Sequence, residues 1–138
     1  FEGENIMRAT DKDYRILDTI RRAAPSATIA DAAVLRRAER TLQRWGEEEC
    51  GNSNDHCSWC ITRDETTGKP FREVHPHKGK SYREPIADRE AGALRRIKTV
   101  CERLGVNYFH QGDPRGCALY ISSEPISDSN YTRGVAVC

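Results

Sequence analysis

The sequence predicts an α+β domain in which an N-terminal helical hairpin and a third helix pack on a small, mostly antiparallel β-sheet. Two stretches with apolar residues at helical spacing come first in the chain. Short strand-like segments bounded by turn residues follow, and a third helical stretch lies among them. With 138 residues, 37% of them hydrophobic, the chain is long enough for one packed core. We expect residues 1–9 to be a flexible extension and residues 10–138 to form a single domain.

The first helix is predicted over residues 11–24, where apolar residues recur on one face. Thr10 precedes it as the expected N-cap, with Asp13 in the capping-box position three residues later. Pro25 ends the pattern, because the residue before a proline is disfavoured in helical conformation. The predicted buried face comprises Leu17, Ile20 and Ala24.

A second helix is expected to start at Thr28, with Asp31 three residues later, and to stop at Gly51. Its predicted buried face comprises Leu35, Ala38, Leu42 and Trp45. We expect it to form an antiparallel hairpin with the first helix.

Two helices joined by a short turn are also typical of helix-turn-helix DNA-binding proteins. Arg36, Arg40 and Arg44 would form one stripe of the second helix. Acidic residues are interleaved with this stripe, and the net charge of the chain is only +1. Since recognition helices belong to more basic domains, a solvated helix face is the favoured interpretation.

The remaining segments read as strands around a third helix. Residues 58–63 and 70–75 predict a hairpin, and residues 75–85 predict a basic loop. A helix is expected over residues 88–104, closed by Gly105. Its predicted buried face comprises Leu94, Ile97, Cys101 and Leu104. Further strands are predicted at residues 106–111, 117–122 and 133–138.

The stretch "HQGDPRG", residues 110–116, fits a type I turn that includes Asp113, Pro114 and Gly116. A turn requires neither Arg115 at its tip nor His110 before it. If the protein is an enzyme, the catalytic candidates are therefore His110, Asp113 and Arg115, which suit proton transfer and phosphate binding. A turn without chemistry is favoured, because the sequence contains no established nucleotide-binding or hydrolase motif.

Several motifs resemble a family of small uncharacterised proteins encoded by tailed phages and prophages. The similar stretches are "RTLQRWGEEEC", "RDETTGKPF", "PIADREAGALRR", "DPRGCALYI" and "YTRGVAV". The resemblance covers most of residues 35–137 and departs from the family pattern at "GNSNDHCSWC". It implies a phage accessory protein that binds a host macromolecule in the host cytoplasm, for host takeover or counter-defence. It supplies no catalytic residues.

Cysteine and histidine residues in the middle of the chain are candidates for metal binding. Cys57 and Cys60 form a C-x-x-C, and zinc prefers four nitrogen or sulfur ligands. The candidate ligands are Cys57, Cys60, His75 and His77, with Cys50 and His56 as alternatives. One structural zinc ion, a disulfide and free thiols all stay open.

Basic residues accumulate in the second half of the chain. The candidate anion-binding residues are Lys78, Lys80, Arg83, Arg89, Arg95, Arg96 and Lys98. Tyr82 lies among them, and Tyr108, Phe109 and Tyr120 lie on the adjoining predicted strands. Basic side chains contact phosphates and aromatic rings stack on bases, so single-stranded nucleic acid is a chemically reasonable partner. A solvated surface is the alternative.

The sequence contains no apolar run of membrane-spanning length and no signal-peptide pattern. We therefore expect a cytoplasmic protein, a monomer or small homo-oligomer, with Cys101 and Cys117 as buried free thiols. Binding of a host protein or nucleic acid, without catalysis, is the favoured function. An enzyme acting on a phosphate-bearing substrate and a zinc-stabilised nucleic-acid-binding protein are the alternatives.

Overall fold

A computed structural model describes residues 9–49, 58–76, 78–112 and 117–138 of the chain. The described helices are α1 (Asp11–Ile20), α2 (Ile29–Glu49) and α3 (Asp88–Leu104), with a short 3-10 helix at Tyr131–Arg133. The described strands are β1 (Ser58–Arg63), β2 (Pro70–His75), β3 (Tyr82–Pro85), β4 (Asn107–Phe109), β5 (Gln111–Gly112), β6 (Tyr120–Ser122) and β7 (Val135–Ala136).

The strands form two small antiparallel sheets. The first sheet has the order β3-β2-β1-β5, and the second has the order β4-β6-β7. The predicted α+β class is confirmed, with the strands divided between two sheets instead of one. The predicted extension, residues 1–9, lies outside the described residues except for Ala9.

The predicted strand 106–111 divides at His110, because this side chain points into the interior between β4 and β5. Its Nδ1–H donates a hydrogen bond to the carbonyl oxygen of Ala118. The residues before it pair with β6 and those after it pair with β1. The interpretation of residues 75–85 as a loop was wrong in part, since Tyr82–Pro85 pairs with Phe71–Val74 as an edge strand.

Each of the three α-helices carries, in its first turn, an acidic residue that has two partners. The side chains of Asp13, Asp31 and Glu90 accept hydrogen bonds from the backbone N–H three residues earlier in the chain. Each also contacts an arginine of another element, and the pairs are Asp13–Arg36, Asp31–Arg103 and Glu90–Arg72. All three acids are buried, so the ion pairs join the helix ends to the rest of the fold.

The main core lies between the three helices and the second sheet. It includes the predicted buried residues of the first two helices except Trp45, which is half-buried. The second sheet contributes Ile121 of β6, and Leu119 and Val137 lie next to β6 and β7. The predicted burial of the free Cys101 and Cys117 thiols is confirmed. The first sheet meets the helices through Trp59, which is fully buried against Gly46 of α2.

Candidate functional site

An arginine-rich groove of about 580 Å³ lies along the outer seam between α2 and α3. The two helices run antiparallel. Arg103 near the end of α3 contacts Asp31 near the start of α2, and Arg89 near the start of α3 approaches Glu48 near the end of α2. We call this feature the arginine groove. Its lining residues are Arg36, Arg37, Arg40, Thr41 and Arg44 of α2 and Asp88, Arg89, Gly92, Arg95 and Arg96 of α3.

Helical spacing brings these side chains to one surface. On α2, Arg37, Thr41 and Arg44 lie three or four residues apart and therefore share one stripe. On α3, Gly92 and Arg96 lie on one stripe in the same way. The opposite faces of both helices carry the buried core residues, so the fold fixes which residues face outward.

Three of the seven groove arginines have acidic partners. Arg36 contacts the buried carboxylate of Asp13. Arg40 donates to both carboxylate oxygens of Glu47, at 2.9 and 3.3 Å. Arg89 lies 4.0 Å from Glu48. Among the described residues, no acidic side chain forms an ion pair with the other four, which are Arg37, Arg44, Arg95 and Arg96.

Gly92 gives the groove an open floor. A Cβ atom at this position would lie 3.3 Å from Nη1 of Arg96 and 3.7 Å from Nη2 of Arg95. Two guanidinium groups therefore converge over the backbone of Gly92. The two guanidinium groups carry like charges, and an anion bound between them would relieve their repulsion. The planar guanidinium fork matches the oxygens of phosphate and carboxylate groups.

The structure separates the basic residues that the sequence grouped together. Arg89, Arg95 and Arg96 line the arginine groove. Lys98 lies on the same helix but faces Glu102, 3.9 Å away. Arg83 pairs with Glu73 at 3.6 Å on the first sheet. The exposed Lys78 and Lys80 lie between β2 and β3.

The α2 stripe forms the other wall of the groove and comprises Arg36, Arg40 and Arg44. The sequence alone favours a solvated face for this stripe. Sequence reasoning missed Arg37, which shares a stripe with Arg44. Its spacing was visible in the sequence, but the packing of α2 against α3 was not.

The aromatic residues expected beside the basic cluster lie elsewhere in the fold. Phe109 stacks on Tyr131 with 5.2 Å between ring centroids, and Tyr120 meets Tyr131 edge-on at 4.9 Å. Tyr108 is half-buried on β4, and Tyr82 is exposed on β3. No aromatic side chain is found among the described residues that line the arginine groove.

His110, the central residue of the predicted catalytic set, is buried beneath the strands. Burial, opposed by the Ala118 hydrogen bond and reinforced by the charge of Arg72, lowers the pKa of His110 to about 4. The imidazole is therefore neutral at pH 7, and its Nε2 has no hydrogen-bond partner among the described residues. Asp113 and Arg115 lie outside the described residues.

This lowered pKa predicts that the protein loses stability in mild acid. Between pH 6.5 and pH 4 the unfolded chain takes up a proton on His110 that the folded protein does not bind. The free energy of unfolding should fall by up to about 3 kcal/mol over that range. Urea unfolding at pH 7, 5.5 and 4 measures the loss.

The matched variant is His110→Gln, whose side-chain amide can still donate to Ala118. Burial raises the pKa of Glu39, and this shift increases the free energy of unfolding as the pH falls. Because Glu39 is present in both proteins, its contribution cancels in the comparison. The wild-type protein should lose more stability than His110→Gln as the pH falls. Parallel pH profiles for the two proteins would contradict the prediction.

The zinc-site hypothesis remains a prediction, since Cys50, His56, Cys57 and His77 lie outside the described residues. Of the other two candidates, Cys60 is a free thiol on β1, and the Nδ1 atom of His75 is 2.8 Å from the Ser81 hydroxyl. Within residues 9–49, 58–76, 78–112 and 117–138, no group of three or more His, Cys, Asp or Glu is placed to hold a metal ion.

No protein-family model, curated protein or solved structure matches this chain. In the part of the chain that the structure describes, no helix has both the length and the apolar character needed to cross a membrane.

Proposed function

We propose that the protein acts by binding, without catalysis, and that the arginine groove holds the phosphate backbone of a nucleic acid. The observation that carries this proposal is the set of four groove arginines without acidic partners among the described residues. They lie on two facing helices, so a linear anion in the groove would be contacted from both sides. Such a surface is an electrostatic footprint of phosphate binding.

The residue types and their spacing suit a partner that carries several phosphate groups. Among the described residues that line the groove, every cationic one is an arginine. Arginine donates two parallel hydrogen bonds to a phosphate, whereas lysine acts as a compact point charge. Along α2, Arg37 and Arg44 are about 10 Å apart, from a rise of 1.5 Å per residue. This distance is long enough for contacts to more than one phosphate of a nucleic-acid strand.

The absence of aromatic residues from the described lining supports recognition of the backbone. Phosphate contacts position a nucleic acid without reading its sequence. We therefore expect binding that depends weakly on base order and strongly on salt concentration. A host nucleic acid bound during phage infection is the proposed setting, and this part of the proposal rests on the motif resemblance alone.

The enzymatic alternative has less support, because a buried, neutral His110 is poorly suited to proton transfer near pH 7. It would require a site that includes Arg115, outside the described residues. The zinc-stabilised alternative is compatible with the arginine groove, since its candidate ligands lie on other parts of the chain.

Removing from each wall one arginine that has no acidic partner among the described residues should weaken binding. We expect Arg37→Ala/Arg96→Ala to lose at least tenfold in affinity for a fluorescein-labelled 15-mer oligonucleotide, measured by fluorescence anisotropy. The slope of log affinity against log salt should also decrease by about two, because two phosphate contacts are lost.

The charge-matched control is Arg15→Ala/Arg22→Ala, which removes two exposed arginines outside the groove. It should bind like the wild-type protein. Equal losses in both variants would show that net charge, and not the groove, governs binding. Failure of the wild-type protein to bind either single-stranded or duplex oligonucleotide, or equally strong competition by poly-glutamate, would overturn the proposed function.

A further inference from the structure

A second cavity adjoins the arginine groove and has a different chemical character. It has a volume of about 370 Å³ and shares Gly92, Arg95 and Arg96 with the groove. Its other lining residues are Val34, Thr99 and Val100, none of which is charged. We call this cavity the apolar annex. Its volume falls within the range of cavities that accept small organic groups.

The annex continues the groove along the same helix seam. Val34 lies one helical turn before Arg37 on α2, and Val100 lies one turn after Arg96 on α3. The seam therefore changes from charged to apolar within one turn on both helices. The guanidinium groups of Arg95 and Arg96, which converge over Gly92, mark the boundary between the two parts.

A ligand that fills both parts needs phosphate groups beside a flat, largely apolar group. We propose that this ligand is a single-stranded nucleic acid, with its phosphates in the arginine groove and one unstacked base in the apolar annex. The inference rests on the proposed function and names the form of nucleic acid. A duplex keeps its bases paired and stacked, so its backbone would fill only the groove. A single strand can place a base outside its stack.

The shared arginines explain how one base would be held. A guanidinium plane stacks on a nucleobase, and Arg95 and Arg96 form the wall of the annex nearest the phosphates. Val34 and Val100 offer apolar contact on the other side. Stacking of this kind tolerates every base, so it agrees with a surface that does not read sequence.

Three labelled ligands of equal length separate the contributions of charge and base. They are a 15-mer of deoxythymidine, the same strand annealed to a deoxyadenosine 15-mer, and a 15-mer abasic strand. Fluorescence anisotropy at one fixed salt concentration compares their affinities for the full chain. We expect the thymidine strand to bind at least fivefold more tightly than the abasic strand and more tightly than the duplex.

A variant that fills the annex locates the base. Thr99 is exposed, so the larger aliphatic side chain of Thr99→Leu should occupy the annex without disturbing the core and without offering an aromatic ring to a base. We expect it to lower the affinity for the thymidine strand to that for the abasic strand, with the salt dependence unchanged. The matched control is Thr66→Leu, at an exposed threonine between β1 and β2, which should bind like the wild-type protein.

The outcomes distinguish this inference from the proposed function. If thymidine and abasic strands bind equally, or the duplex binds most tightly, the inference is overturned while nucleic-acid binding stands. If Thr99→Leu keeps the preference for the thymidine strand, the base does not lie in the annex and the inference is likewise overturned. If none of the three ligands binds the wild-type protein, the proposed function itself fails.

Discussion

Replacing Arg72 with alanine is expected to lower the free energy of unfolding by about 3–5 kcal/mol. Arg72 on β2 is 2% exposed and lies between two carboxylates. Its Nη1 is 2.6 Å from Oε1 of Glu84, and its Nη2 contacts the buried carboxylate of Glu90. Its guanidinium carbon is 4.1 Å from the ring centroid of Trp45. The substitution would leave Glu90 buried without its cation, and removal of one partner is the costly way to break a buried ion pair.

Urea unfolding followed by circular dichroism measures this effect. The matched control is Arg83→Ala on the neighbouring strand, since Arg83 is exposed and lies 3.6 Å from Glu73. That substitution should cost less than about 1 kcal/mol. The double variant Arg72→Ala/Glu90→Gln should lose less free energy of unfolding than the two single variants lose together, because it leaves no unpaired charge at residue 90. A cost for Arg72→Ala as small as that for Arg83→Ala would contradict the role of the buried pair.

Local signals predicted the three helices, the starts of the first two and the C-terminal cap of α3, but the first helix ends at Ile20 and not at the predicted residue 24. The Thr10–Asp13 capping box is present, with bonds of 2.9 and 3.2 Å, and the Thr28–Asp31 pair has the same reciprocal bonds. Gly105 closes α3 with a left-handed φ of 71°. These features depend on residues three or four positions apart, so their physics is contained in short stretches of sequence.

Features that depend on distant segments were not predictable in the same way. Pro85 within the edge strand β3 and Gly79 before it are typical of a loop, so only the pairing of β3 with β2 identifies it as a strand. The division of the predicted strand 106–111 depends on the hydrogen bond between His110 and Ala118. The arginine groove requires α2 and α3 to pack antiparallel, and no pattern within a short stretch of sequence predicts that packing. The arginine-bearing helices on both sides of the candidate site were therefore predictable from the sequence, but their packing against each other was not.

The N-terminal acids of the helices illustrate the same division between local and distant effects. Their capping role follows from the sequence, but their arginine partners come from elsewhere in the fold. The partner of Asp31 is Arg103, near the end of α3. The hydrogen bonds from Arg103 and Thr28 outweigh burial and lower the pKa of Asp31. One carboxylate thus fixes a helix start and joins two helices.

Replacing Gly46 with alanine is expected to destabilise the protein by at least about 2 kcal/mol, because it would overpack a filled interior. Gly46 lies within α2, where alanine is normally favoured over glycine by about 1 kcal/mol. A Cβ at this position would stand 1.7 Å from Cη2 of Trp59 and 2.4 Å from two further ring atoms. Trp59 is fully buried and meets Trp45 edge-on, with ring centroids 5.2 Å apart. Its ring therefore has little room to move away.

Gly92→Ala is the matched control, since Gly92 also lies inside a helix. Its nearest neighbour would be the flexible end of Arg96 at 3.3 Å, so we expect stability to stay unchanged or to rise by up to about 1 kcal/mol. Trp59→Phe should lessen the cost of Gly46→Ala, because the smaller ring leaves space for the added methyl group. Urea unfolding would contradict this prediction if Gly46→Ala, like Gly92→Ala, left the free energy of unfolding unchanged or raised it. Helix propensity would then outweigh packing at both sites. The close approach of Trp59 to α2 would then not limit which residue position 46 accepts.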